Sequence, residues 1–118
     1  MAAPAITVNE KLASRVRVIT VTQSGTNNGV VMFDIPEPMH SLTIQVTGTL
    51  PSGAVKLKSG NDGVSGNVQD LPTPVTLIAT GIKSVAKDDL GFRHYAIDVS
   101  SSGSTNDLVA TVIAKLAY

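Results

Sequence analysis

The chain contains no cysteine and no tryptophan, and aromatic residues make up 3% of its 118 positions. Without cysteine there is no disulfide, no thiolate nucleophile and no sulfur-ligated metal. Two histidines, His40 and His94, fall short of a zinc site, which takes three or four ligands at defined spacing. An excess of charge is also missing, with nine basic residues against nine acidic ones. Arg15 and Arg17 can share a strand face, as can Lys56 and Lys58, but two such pairs do not make the one-sided cationic surface that releases counterions from nucleic acid. No apolar run approaches the roughly 20 residues needed to span a bilayer, so no membrane partner is expected. The first residues, MAAPAITVNEKLASRVRV, lack a basic start followed by a long apolar stretch, so they do not read as a secretory signal. A protein made this way is expected in the cytoplasm, or in a particle assembled there.

Valine, threonine and isoleucine are abundant, 35 of the 118 residues. β-Branched side chains suit a pleated sheet and lose rotamer freedom in a helix. Glycine, serine and proline punctuate the chain at short intervals. The pattern predicts one all-β domain, an antiparallel β-sandwich of jelly-roll or immunoglobulin-like type with about eight strands.

The clearest strands lie between Ser41 and Gly63. Leu42, Ile44, Val46, Gly48 and Leu50 alternate with Thr43, Gln45, Thr47 and Thr49, the period of a strand with one buried face. Pro51-Ser52-Gly53 turns the chain, Val55 and Leu57 then alternate with Lys56 and Lys58, and Ser59 to Gly63 turns it again. Arg15 to Thr22 and Val30 to Ile35 read as earlier strands. In the first of these, Val16 and Val18 point one way and Ile19 and Val21 the other, as a bulge or two-sided burial would require. Asn61 to Asp70 reads as an exposed loop, with Pro72-Thr73-Pro74 leading into a strand at Val75 to Ala79. Ile82 to Val85, Phe92 to Val99 and Asp107 to Leu116 complete the set, with Tyr95, Ile97 and Val99 on the core face of their strand. Residues 1–14 stand apart as an extended arm before a domain over 15–118. They are either a frayed terminus or a segment that adds to a neighbour's sheet through Ile6 and Val8. Asn9 to Ala13 has the composition of one helical turn capped by Asn9.

Chemistry is sparse. Asn61-Asp62-Gly63 lacks the alternating oxygen ligands and terminal glutamate of a calcium loop, and no Gly-Lys-Ser/Thr follows it as in a phosphate loop. Asp88 and Asp89 lie near His94 in sequence, but no nucleophile-elbow motif accompanies them. No catalytic residue, metal or cofactor is expected. A carbohydrate-binding β-sandwich module is the rival reading; it needs exposed rings for stacking, and only Phe92 and Tyr118 are left for glycan binding once Phe33 and Tyr95 are assigned to the core.

Ser59 to Gly63, Ala79-Thr80-Gly81, Tyr95 to Ser100 and Val109 to Ile113, taken in order, resemble the turns and strands of the small β-sandwich proteins of tailed-bacteriophage particles. The resemblance spans roughly Pro38 to Lys115. It implies a virion structural protein, foremost a capsid cement or decoration protein on the shell surface, with tail or fibre subunits as the alternative within the same class. It further implies the major capsid protein and copies of the chain itself, as a homotrimer, as partners. On this reading residues 1–14 and the Pro36 to Ser41 turn make the contacts, through Ile6, Val8, Leu12, Pro36, Pro38 and Met39. The loops at Asn61 to Gln69 and Ser100 to Asn106 then face outward.

Overall fold

The computed structural model describes residues 2–13, 16–25, 28–35, 38–50, 53–90, 94–100 and 106–116. They form nine strands and two single 3₁₀ turns: β1 (Ala2–Ala13), β2 (Val16–Gly25), β3 (Gly29–Asp34), β4 (Met39–Thr49), β5 (Ala54–Gly60), β6 (Gln69–Leu77), β7 (Gly81–Ser84), β8 (His94–Ser100) and β9 (Asn106–Leu116). The 3₁₀ turns are Ser65–Asn67 and Lys87–Asp89.

Pairing is antiparallel throughout. β2 pairs with β9, β3 with β8, β4 with β7 and β5 with β6, so the four pairs nest like one long hairpin. Rolling that hairpin sets β9 against β4 and β8 against β5. The result is two sheets, β1-β2-β9-β4-β7 and β3-β8-β5-β6. Eight strands arranged in this way form a jelly roll, which selects that architecture over the immunoglobulin-like one. Each sheet turns its alternating apolar side inward. Ile19 and Val21, Leu42, Ile44 and Val46, Ala110, Val112 and Ala114 face Val55, Leu57, Tyr95, Ile97 and Val99 across a closed core. Phe33 stacks on Tyr95 with ring centroids 6.0 Å apart, so both rings lie in the core as expected.

Three segments differ from the sequence reading for identifiable reasons. Residues 9–13 are extended, not helical, because β2 offers them a ladder (Asn9 opposite Ile19, Lys11 opposite Arg17) that an isolated helical turn lacks. β2 carries neither a bulge in its pairing with β9 nor two-sided burial. Its register is unbroken from Val16 to Gly25, and Val16 and Val18 are only half-buried on the outer side. β6 begins before the two prolines. The register jumps from Val75 to Asp70 while β5 advances only from Leu57 to Lys58, so Pro72 and Pro74 sit in a bulge on an edge strand, where no ladder donor is required. That bulge is held from beneath. The buried Asp89 carboxylate accepts the Thr73 N–H at 2.9 Å, and the Tyr95 hydroxyl donates to the Asp89 carbonyl at 3.0 Å.

Candidate interaction surfaces

The residues expected to make contacts fall, where they are described, on β1 and on the residues that lead into and open β4. The segment read as an arm runs as β1, the outer strand of the chain's own five-stranded sheet, paired to β2 across three register shifts. Ile6 is half-buried and packs on the core, and Val8 stands opposite Thr20. Leu12 lies in β1. Pro38, just before β4, is exposed, whereas Met39, which opens the strand, is half-buried against the core. Pro36, Phe92 and Tyr118 lie outside the described residues, as does most of the loop after Ser100.

The outer faces of the two sheets differ in kind. On the four-stranded sheet the row Val30–Asp98–Lys56 crosses β3, β8 and β5, and Lys58 Nζ lies 3.0 Å from Asp98 Oδ2. The face is therefore charged at its centre. On the five-stranded sheet three consecutive rows cross β4, β9 and β2 with no ionisable group: Thr43–Ile113–Val18, Gln45–Thr111–Thr20 and Thr47–Val109–Thr22. Ile82 of β7 extends the middle row beyond Gln45 and is 64% exposed, and Val109 is 37% exposed. Charge returns on β9 only at its two ends, Lys115 and Asp107, both exposed. The residues responsible are the outward members of the same period-2 alternation whose inward members fill the core. The alternation was visible in the sequence, but the lateral stacking of the three strands was not.

A second feature lies at one end of the sandwich. Asp34 and His94 close the β3·β8 ladder as a directly opposed pair, and their side chains are bonded through Asp34 Oδ1 and His94 Nδ1. They line a cleft of about 400 Å³ with Ile6, Met32, Phe33 and Gly63. Gly63, at φ +72°, lies over the imidazole, and a Cβ there would come 3.3 Å from His94 Nε2. The loop before β6 is tied by Asp62, whose carboxylate accepts from Asn67 Nδ2 at 2.7 Å and from the Val64 N–H at 3.0 Å. The Asn67 bond first, and then the Val64 bond, hold the Asp62 carboxyl below its ordinary value. His94 thus takes its carboxylate from Asp34, sixty positions away, while the carboxylate of Asp89 is turned to the β6 bulge. Asp34 could not be named from the sequence as the partner of His94, because the pairing of β3 with β8 has no local signature. Among the described residues no three acidic or histidine side chains are grouped to hold a metal.

No family model and no curated protein matches the chain. Among solved structures, the crystal structure of the SPBc2 prophage-derived protein YomS is similar, with TM-score 0.62 and 13% identity over 89% of this chain and 98% of that one. A CBM4 structure aligns with TM-score 0.33 and 13% identity over 95% of this chain and 77% of that one. The first likeness shows a shared small β fold, and nothing further rests on the second.

Proposed function

We propose that this chain is a structural protein of a phage particle, acting as a capsid cement protein that binds the assembled shell and stabilises it. The observation that carries the reading is the uncharged patch that β4, β9 and β2 form on the outer side of the five-stranded sheet. A bare sheet face normally alternates apolar-in with charged or strongly polar-out, because water must solvate it. Three rows of threonine, valine, isoleucine and glutamine, with Ile82 64% exposed at the margin, suit contact with another protein surface better than bulk water. The prophage origin of YomS and the phage-like order of turns support the same class. On this reading the uncharged patch joins the chain to another subunit of the particle, while β1 and the turn that ends at Pro38 and Met39 meet the shell. A cement protein binds only the assembled lattice, so it raises shell stability by mass action.

The test is decoration of undecorated shells of the particle whose genome encodes the chain. Saturable co-sedimentation with shells, and a higher disassembly temperature for the decorated shells, are expected. Absence of the chain from purified particles, or its presence on tails alone, overturns the assignment.

A further inference from the structure

We infer that the uncharged patch of β4, β9 and β2 is the centre of a contact between two copies of this chain, related by a twofold axis along the row Gln45–Thr111–Thr20, which sets Glu10 of β1, opposite Val18, near the partner's Ala5, opposite Thr22, and away from the partner's own Glu10. The inference rests on reading that face as a protein-contact surface and adds the identity of the partner.

An isologous contact places a patch against itself, so it demands a surface that its own copy does not repel. Rotation about the Thr111 row runs the two β9 strands antiparallel, one above the other, at the spacing of about 10 Å and the crossing of about 30° of aligned sheet packing. Position i on β9 then faces the position equally far on the other side of Thr111. Ile113 meets the partner's Val109, an apolar pair. Thr111 meets the partner's Thr111, an uncharged pair. Lys115 approaches the partner's Asp107, which brings opposite charges together at both ends of the contact. The only two ionisable residues that β9 presents on this face are thus placed symmetrically about Thr111 and carry opposite sign. Every other axis across β9 loses that match.

The area suffices. Nine residues on each of β1, β2, β9 and β4 and the four of β7, at about 3.4 Å each along strands about 4.8 Å apart, cover roughly 650 Å². A standard interface buries about 800 Å² per partner. Every one of the nine residues in the three rows is also at least partly exposed.

Sedimentation equilibrium of the full chain at about 100 μM, a concentration above the Kd of most standard-size interfaces, tests this. The expected species has twice the 12.2 kDa chain mass. Thr111→Lys sets two ammonium groups face to face and should raise the dimer Kd about tenfold or more, with circular dichroism and melting temperature retained because position 111 faces outward. Lys115→Asp should weaken the dimer, and adding Asp107→Lys in the same chain should restore it, an outcome that loss of folding cannot imitate. A trimer, a monomer at this concentration, a Thr111→Lys variant that dimerises like the parent, or failure of the double exchange to rescue overturns the inference. A chain that decorates shells as a monomer overturns it while leaving the particle reading standing.

Discussion

At the scale of single residues, glycine is where the sequence and the structure give different reasons for the same letter. Gly48 falls on the inward series Leu42, Ile44, Val46, and by alternation alone it is a gap in a buried face. Its actual constraint is the backbone. It sits at φ +96°, and a Cβ would lie 2.2 Å from the Asp107 carbonyl oxygen on β9, closer than any side-chain carbon can approach. Gly66, in the 3₁₀ turn before β6, has nothing within 4 Å of the same position. We therefore expect Gly48→Ala to lower unfolding free energy by about 2 kcal/mol or more through strain and collision. Gly66→Ala should stay within about 0.5 kcal/mol. Paired urea titrations measure both, and equal effects would contradict the close approach of β4 to β9. The same lesson applies to Asp34 and His94. Each was visible as a polar residue within an expected strand, but their partnership depends on a strand pairing that no local pattern encodes.

At the scale of elements, legibility follows the regularity of the ladder. β4, β5, β8 and β9 show clean period-2 patterns because each is an interior strand with one face on the core, and burial fixes its alternation. β1 was obscure because three register shifts reset its alternation, and β6 because two prolines in a bulge imitate a loop. Both are edge strands, where such irregularities are tolerated and blunt unwanted pairing. β5 allows a sharp test of this account, since neighbouring positions on it face opposite environments. Leu57 is 1% exposed in the core, while Lys58 makes a half-exposed ion pair with Asp98. Leu57→Ala should cost about 2–5 kcal/mol, as large-to-small core changes do. Lys58→Ala should cost less than about 1 kcal/mol, because a solvent-screened pair returns little. Chemical denaturation of the two variants gives the ratio, and a larger loss at Lys58 would mean that β5 is facing the wrong way.

At the scale of the whole molecule, alternation fixes which side of a strand is buried but not which strand lies beside it. The jelly roll is defined by the nesting of β2·β9, β3·β8, β4·β7 and β5·β6, and its outermost pair joins residues 16–25 to residues 106–115. β9, the most C-terminal of the nine strands, is thus the one that sits between β2 and β4 in the centre of the larger sheet. Removing residues 106–118 would strip both neighbours of a ladder partner and open the core where Leu108, Ala110, Val112, Ala114 and Leu116 now close it. That chain should show no cooperative unfolding transition. Removing residues 1–13 takes away an edge strand whose pairing is already interrupted and whose Ile6 packs on the core. That chain should keep a β-type circular dichroism spectrum and a single cooperative transition at a lower denaturant midpoint, since β2 retains its unbroken ladder to β9. The contrast turns on position in the sheet, not on length, because the two deletions remove the same number of residues. If the chain without 1–13 fails to fold, β1 is an integral wall of the sandwich, and the contacts proposed for it with a capsid shell must come from its exposed edge alone.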